Sequence, residues 1–218
     1  RVGVSQTGVL SELEKVTADS IVIFELSSWR LSGLREIAKS PSIAIITNLY
    51  PDHLNYYADM ESYAEDKAEI FLWQEEEGVL VLPQDNAWTE WFASKAPGRV
   101  LSFGRANECD AWQDDTLLWM KEGEVEMPLI EKTECQLKGE HNFANLLAAA
   151  LGAMEAGVPL SSIREGIRTF SGVPHRLELV AEHEGVQYIN DTAATIPDAV
   201  KMSVASIKGD VILLAGGS

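Results

Sequence analysis

The 218-residue chain has few cysteines and few basic residues, and it contains no long apolar run. Cys109 and Cys135 are far apart and form neither a CxxC motif nor a metal-like spacing, which favours a reducing compartment such as the cytoplasm. No apolar run approaches the roughly 18–20 residues that a membrane span needs, and no secretory signal pattern opens the chain. These absences argue against a membrane protein and against a disulfide-rich secreted domain.

Acidic residues outnumber basic residues by 34 to 17, which gives a net charge of −17. A surface of this sign repels phosphate backbones, so we expect no nucleic-acid partner. The charge is spread along the chain, which is typical of a solvated surface rather than an acidic tail. Hydrophobic residues make up 46% of the sequence, as in an ordinary globular core.

Short apolar runs alternate with helical patterns over the first half of the chain. Runs rich in Ile, Val and Leu predict strands buried on both faces in SIVIFELS (20–27), SIAIITNL (42–49) and GVLVLP (78–83). The segments between these runs, SWRLSGLREIAKS and MESYAEDKAEIFLWQEEE, have helical spacing. The order predicts βαβ units and an α/β fold with a mainly parallel sheet.

The pattern of apolar residues changes twice in the second half of the chain. From Arg99 to about Leu137, the runs RVLSFG, DTLLWMK and EVEMPLI predict a small antiparallel layer at the sheet edge. Two helices follow, in GEHNFANLLAAALGAMEAGV and PLSSIREGIRTF. After the linker SGVPHRLE we expect two strands, a helix beginning at Pro197, and a last buried strand in DVILLAGGS. We therefore predict two domains, 1–172 and 173–218.

Candidate binding residues follow the predicted strands, where open α/β sheets bind their ligands. Glu25 lies near the end of the first predicted strand, and Asn48, Asp52 and His53 follow the second. A strand-end glutamate is more often a capping or salt-bridging residue, and a loop histidine is usually exposed. The spacing alone therefore leaves both a structural and a catalytic interpretation open.

Lys67 lies on a predicted helical stripe with Tyr63, Ala64, Ile70 and Phe71. In one interpretation its stem follows the apolar surface and its amino group reaches water. In the other it lies beside a cation site, where the amine must be neutral or modified. Reaction with carbon dioxide would give a carbamate, an anionic oxygen ligand suited to Mg²⁺.

Several polar residues stand at a predicted helix start, in the linker and after a strand. Asn142 and Asn145, beside His141, share a helix face and could either cap the helix or read a base edge with their amides. Arg176 suits bidentate phosphate binding or an ordinary salt bridge. Asp191 follows a predicted strand, which is again a position for ligand contacts.

Six segments, in one order along the chain, resemble the Mur ligase family: FELSSWRL, TNLYPDHLNYY, ESYAEDKAEIF, GEHNFANLLAAA, GVPHRLE and YINDTAATIPDAV. These are the ATP-dependent amide-forming enzymes of peptidoglycan precursor synthesis, and the last segments are most similar to members that add D-glutamate to UDP-N-acetylmuramoyl-L-alanine. The resemblance implies a P-loop-type central domain over 1–172 and the start of a Rossmann-like, amino-acid-binding domain over 173–218. It also implies a cytoplasmic and usually monomeric enzyme with small-molecule substrates, among them glutamate and ATP.

The resemblance further implies roles for individual residues. Glu25 and His53 match positions that bind two Mg²⁺ ions beside the ATP phosphates, and Lys67 matches a carbamylated lysine that stabilises the second cation. There a substrate carboxylate attacks the γ-phosphate, and the incoming amine opens the acyl phosphate that results. The implied ATP contacts are His141, Asn142, Asn145, Arg176 and Asp191. The implied contacts to the muramoyl substrate are Gln6, Ser27 and Thr195.

The chain departs from the family pattern at three points. The phosphate-binding Gly-x-x-Gly-Lys-Ser/Thr loop is absent from the 218 residues; we expect it before residue 1 and expect the isolated chain to be inactive. Ala193 stands where members that add D-glutamate commonly carry lysine, and Gln6 replaces a usual asparagine. The alternatives are a sister ligase such as folylpolyglutamate synthetase, a variant that adds L-glutamate, and a non-catalytic nucleotide-binding module.

Overall fold

A six-stranded sheet with the strand order β1-β2-β3-β4-β5-β6 forms the centre of the computed structural model, which describes residues 13–52 and 56–216. The strands are β1 (Ile43–Ile45), β2 (Val79–Pro83), β3 (Arg99–Gly104), β4 (Ala111–Gln113), β5 (Leu117–Glu122) and β6 (Val125–Glu131). The pairs from β1 to β4 are parallel, whereas β5 and β6 run antiparallel to their neighbours. The predicted α/β fold with a mainly parallel sheet is confirmed.

Helices cover this sheet, and a separate antiparallel pair of strands follows it. The helices are α1 (Ser28–Leu31), α2 (Leu34–Ile37), α3 (Met60–Ala68), α4 (Thr89–Ala93), α5 (Glu140–Glu155), α6 (Leu160–Thr169) and α7 (Pro197–Ser206). The separate pair consists of β7 (Glu178–His183) and β8 (Val186–Asn190). Within the ranges that the structure describes, no helix has both the length and the apolar character to cross a membrane.

The side chains of β2 show how the layers are arranged, because successive residues of a strand point to opposite faces. Val79 and Val81 join the core on the side of α5 and α6. Leu80 and Leu82 join the core on the side of α3 and α4 and are fully buried. Burying a leucine side chain of this kind is worth roughly 1.5–3 kcal/mol. The sheet is therefore the middle layer of an α/β/α arrangement.

The long helix α5 lies close against the sheet because a glycine faces β1. A Cβ atom at Gly152 would lie 2.6 Å from Cδ1 of Ile45, so a side chain at this position would push the helix away. The rest of that helix face carries buried leucine and alanine side chains. This close packing places the start of α5 beside the carboxyl ends of the central strands.

The edge layer differs from the prediction. RVLSFG forms β3, which pairs parallel with β2 and belongs to the central sheet rather than to an antiparallel layer. The unpredicted helix α4 explains the difference, because it carries the chain back across the sheet as a parallel connection requires. The short strand β4 was also not predicted. Only β5 and β6 form the antiparallel layer.

Two predicted buried strands are wrong. Residues 20–27 and 210–216 form no strand, and the exposed fractions of Ile23 and Leu214 are 74% and 93%. A run of apolar residues becomes a strand only when neighbouring strands pair with its backbone. Within the described ranges, no strand pairs with either segment. The predicted helix after Met60 also ends early, at Ala68, and continues as turns.

Candidate functional site

A cleft of about 990 Å³ lies over the ends of the parallel strands. Its floor includes Thr47 and Asn48 after β1, Asp85 and Asn86 after β2, and Arg105 after β3. The carboxyl ends of parallel strands are the usual place for ligands in open α/β sheets. The volume lies at the upper end of the roughly 300–1,000 Å³ typical of small-molecule sites.

The opposite wall of the cleft brings together predicted residues from distant parts of the chain. They are His141, Asn142 and Asn145 from the start of α5, Arg176 from the linker, and Asp191 from the loop after β8. Asn142 does not cap the helix, because its Nδ2 donates a hydrogen bond to the carbonyl oxygen of Lys138 at 2.8 Å. Asn145 is exposed, and its amide is available in the cleft.

His141 and Asp191 act on each other electrostatically across this wall. Burial lowers the pKa of His141 below its ordinary value of 6.5, and the negative charge of Asp191 opposes that shift. Asp191 also accepts a hydrogen bond from the backbone N–H of Leu177 at 3.0 Å. The carboxylate of Asp191 therefore interacts both with His141 at the start of α5 and with the linker that carries Arg176.

The linker around Arg176 has a fixed and strained backbone. His175 and Leu177 have positive φ values of 68° and 45°, each of which costs about 1–3 kcal/mol for a residue other than glycine. Hydrogen bonds hold this conformation: His175 donates its N–H to Glu178 Oε2 at 2.8 Å, and its carbonyl accepts from Ala193 N at 3.0 Å. In this backbone conformation the exposed side chain of Arg176 lines the cleft.

The helices α5 and α7 approach closely beside the cleft. A Cβ atom at Gly139, which precedes α5 and has φ of 97°, would lie 2.7 Å from Cβ of Ser206 at the end of α7. A larger residue at Gly139 would be strained and would force the helices apart. The glycine therefore permits the present width of the cleft.

A second group of residues surrounds Lys67 on α3, and we call it the lysine corner: Glu25, Asp52, Tyr63 and Lys67. Burial lowers the pKa of Lys67, while the negative charges of Glu25 and Asp52 oppose the shift. Its Nζ atom lies 5.5 Å from the ring centroid of Tyr63. The half-buried amine is therefore closer to its neutral form than a surface lysine, yet it is surrounded by carboxylates.

Hydrogen bonds and ion pairs of the neighbouring residues fix the orientation of α3. Arg35 Nε donates to Glu69 Oε1 at 2.7 Å, and the indole of Trp73 donates to Glu69 Oε2 at 2.8 Å. The hydroxyl of Tyr57 donates to Asp66 Oδ2 at 3.2 Å. Because Asp66 and Glu69 flank Lys67 in sequence, these bonds limit the rotation of the helix and direct the lysine inward.

The lysine corner adjoins the cleft through a short segment of chain. Thr47, Asn48 and Tyr50 line the cleft, and Asp52, only two residues further on, acts on Lys67. Two residues of extended chain span at most about 7 Å. Two residues of chain therefore connect the lining of the cleft at Tyr50 to the lysine corner at Asp52.

Four of the predicted site residues that the structure describes do not line the cleft: Glu25 and Lys67, which belong to the lysine corner, and Ser27 and Thr195. Gln6 and His53 lie outside the described residues. Ser27 precedes α1 and is partly buried, and Thr195 is exposed, but neither lines the cleft. Within residues 13–52 and 56–216, no group of three or more His, Cys, Asp or Glu side chains is arranged to hold a metal ion.

The prediction missed cleft residues that also follow strands. Asp85 and Asn86 follow GVLVLP after one intervening residue, and Arg105 comes directly after RVLSFG. Their position at strand ends was the available signal. Gln113 carried no such signal, because it lies on the unpredicted strand β4.

Comparisons with known proteins agree on one family. The family model of the Mur ligase middle domain matches residues 4–153. The "UDP-N-acetylmuramoylalanine--D-glutamate ligase" of Roseiflexus sp. (strain RS-1) is 38% identical over 96% of this chain and 47% of the relative. The protein of the same name from Clostridium kluyveri (strain ATCC 8527 / DSM 555 / NBRC 12016 / NCIMB 10680 / K1) is 39% identical over 97% of this chain and 45% of the relative. The chain thus spans about half the length of these relatives.

A solved structure shows the same fold. The "UDP-N-acetylmuramoylalanyl-D-glutamyl-2,6-diaminopimelate--D-alanyl-D-alanyl ligase" from Acinetobacter baumannii superposes with a TM-score of 0.65 at 21% identity, over 79% of this chain and 39% of that protein. The family model covers more than half of the chain. The chain belongs to the Mur ligase family.

Proposed function

We propose that this chain supplies the nucleotide site and part of the catalytic centre of an ATP-dependent ligase of peptidoglycan precursor synthesis. The substrates that we assign are UDP-N-acetylmuramoyl-L-alanine, D-glutamate and ATP. The observation that carries the proposal is that one short segment, residues 47–52, both lines the cleft and supplies the Asp52 charge that acts on Lys67. A bound nucleotide and a buried lysine surrounded by carboxylates would then share one reaction space.

The cleft suits ATP in size and in chemistry. Side-chain amides of Asn142 and Asn145 offer donors and acceptors to a base edge. Arg176 carries a planar guanidinium that can bind phosphate oxygens bidentately. His141 and Asp191 border the same wall, and Asp191 holds the linker in position. We assign these five residues to ATP binding.

The lysine corner suits a divalent cation beside the phosphates. Glu25 and Asp52 offer carboxylate oxygens, which Mg²⁺ prefers. Only a neutral amine reacts with carbon dioxide, so the lowered pKa of Lys67 favours the carbamate that would add a further oxygen ligand. We propose two Mg²⁺ ions, held by Glu25, His53 and the modified Lys67. When bound, the ions neutralise the charge that develops during phosphoryl transfer.

In the proposed reaction, the described residues have separate roles. Arg176 and the α5 residues hold and orient the nucleotide, so that its terminal phosphate points along residues 47–52. Burial around Lys67 excludes water, which strengthens electrostatic interactions with the phosphate. The fixed orientation of α3 keeps Lys67 directed at this space. The chain thereby favours attack by the substrate carboxylate over hydrolysis.

The remaining assignments concern the whole protein. We place the boundary of the central domain near residue 172, because α6 ends at Thr169 and the second sheet begins at Glu178. Gln6, Ser27 and Thr195 are assigned to the muramoyl substrate. We propose a monomeric cytoplasmic enzyme that acts without a nucleic-acid or membrane partner.

A coupled phosphate-release assay tests the proposal on the protein made from its complete reading frame. We expect ATP- and Mg²⁺-dependent phosphate release with UDP-N-acetylmuramoyl-L-alanine and D-glutamate, and much less with L-glutamate. The 218-residue chain alone, which contains no Gly-Lys-Ser/Thr phosphate loop, should give none. Equal use of L-glutamate would overturn the assigned amino acid. Release only with a folate substrate would favour the sister ligase, and the absence of any ATP-dependent product would refute the proposed reaction.

A further inference from the structure

Gln113 has an unusual position in the cleft wall. It is the last residue of β4, lines the cleft, and is only 6% exposed. Its Nε2 donates a hydrogen bond to the carbonyl oxygen of Glu140, the first residue of α5, at 3.3 Å. Its Oε1 is buried and has no hydrogen-bond partner among the described residues.

The orientation of this amide follows from its neighbour. The Glu140 carbonyl can only accept a hydrogen bond, so it selects the orientation in which Gln113 presents Nε2 to it. Oε1 is then left as the free end of the amide. A buried acceptor without a donor is destabilising, and native structures usually supply a partner for it.

We propose that Oε1 of Gln113 accepts a hydrogen bond from the exocyclic amine of the nucleotide base and so selects an aminopurine. The proposal rests on the ATP site proposed above. It assigns to this chain a specificity residue on a strand that lies outside all six family-like segments.

The chemistry of the surroundings favours a base amine over a phosphate. Oε1 is an acceptor, and it cannot form a hydrogen bond with phosphate oxygens, which are acceptors too. A buried position suits a flat neutral ring better than a charged triphosphate. The donors of ATP are its base amine and its ribose hydroxyls, so the experiment must separate these two.

Another glutamine in the same chain provides a matched control. Gln74 is 7% exposed, and its Oε1 is also buried without a partner among the described residues. Its Nε2 donates to the carbonyl oxygens of Pro41, Ser42 and Val79, and the residue does not line the cleft. The two glutamines therefore share burial and an unpaired acceptor, but only Gln113 lines the cleft.

Calorimetric binding to the protein from the complete reading frame tests the proposal, with three nucleotides as probes. They are ATP, 2′-deoxy-ATP and purine riboside triphosphate, which lacks the amine. The unmodified protein should bind ATP about tenfold more tightly than the nucleotide without the amine. Gln113→Met should weaken ATP binding by about tenfold and leave binding of the nucleotide without the amine unchanged. Gln74→Met should bind all three as the unmodified protein does.

Different failures have different meanings. Equal weakening of ATP and the nucleotide without the amine by Gln113→Met would overturn the proposal in favour of a structural role. If Gln113→Met instead removed only the difference in affinity between ATP and 2′-deoxy-ATP, the contact would belong to the ribose. That result would also overturn the proposal. An unchanged affinity of Gln113→Met for ATP would also overturn the proposal, because the base would then make no contact with Oε1. If the unmodified protein binds no ATP, the proposed function itself fails.

Discussion

The cleft and the lysine corner are joined by a short segment of chain, but they differ in size and in the kind of residues that form them. The cleft is wide, and its lining residues come from strand ends, from α5, from the linker and from the loop after β8. The lysine corner has one half-buried amine, which lies over the ring of Tyr63 and feels the charges of Glu25 and Asp52. The cleft can hold and orient a large ligand, whereas the corner can change the charge state of a single group. Binding and chemistry should therefore respond to different substitutions.

The largest expected effect belongs to the lysine corner. Lys67→Met removes the amine, and with it the electrostatic stabilisation that we assign to the modified lysine. Ligation should fall about 10²–10³-fold, as when one group that stabilises developing charge is removed. Nucleotide affinity should be retained, because Lys67 does not line the cleft. Phosphate-release rates and calorimetric binding measure the two properties separately.

Lys95→Met is the matched control for this prediction. Lys95 also lies over an aromatic ring, with Nζ 4.5 Å from the centroid of Trp91, but it is exposed and outside both regions. Its substitution should leave ligation unchanged. If Lys67→Met retained full ligation, the lysine corner would have no part in the chemistry.

A smaller effect is expected in the cleft. Arg176→Met removes a guanidinium that we assign to the phosphates, so the KM for ATP should rise about tenfold or more. The kcat at saturating ATP should change little, because Arg176 acts on binding. Steady-state kinetics over a range of ATP concentrations separates the two constants.

Arg168→Met provides the comparison for Arg176. Arg168 is paired with Glu134 at 2.7 Å on the surface and does not line the cleft. Loss of a solvent-exposed pair of this kind should change stability little, and the KM for ATP should not change. A fall in kcat with unchanged KM in Arg176→Met would move this arginine from binding to chemistry.

The smallest effect concerns pH and the His141–Asp191 pair. Because burial lowers the pKa of His141 in the folded state, the unfolded chain takes up this proton first as the pH falls below 6.5. The free energy of unfolding should therefore decrease between pH 6.5 and the lower folded-state pKa. His141→Gln should show a smaller decrease, and Asp191→Asn a larger one, because Asp191 opposes the shift. Urea unfolding at pH 8 and pH 5.5 measures this, and identical pH slopes in all three proteins would contradict it.

The sequence predicted the central strands well because burial on both faces leaves a continuous apolar run, as in β2. The same signal failed at 20–27 and 210–216, since a run of residues carries no information about which strands pair with it. β4 and α4 were missed because strands and helices of three and five residues leave almost no periodicity.

The residues of the candidate site were likewise predictable only in part. His141, Asn142 and Asn145 were predictable from one helix start, and Lys67 from its place on an apolar stripe. Their convergence with Arg176 and Asp191 was not predictable from spacing; it depends on two left-handed residues and a carboxylate that fix the linker. Only the family resemblance connected these segments before the structure did.

The central claim is that a nucleotide bound in the cleft directs its phosphates toward the lysine corner. The most direct test is a crystal structure of the protein from the complete reading frame with Mg²⁺ and a non-hydrolysable ATP analogue. We predict the base beside α5, the phosphates near Arg176, and the terminal phosphate directed along residues 47–52 toward Lys67. A nucleotide bound elsewhere, or a Lys67 side chain directed into bulk solvent away from the terminal phosphate, would contradict the account.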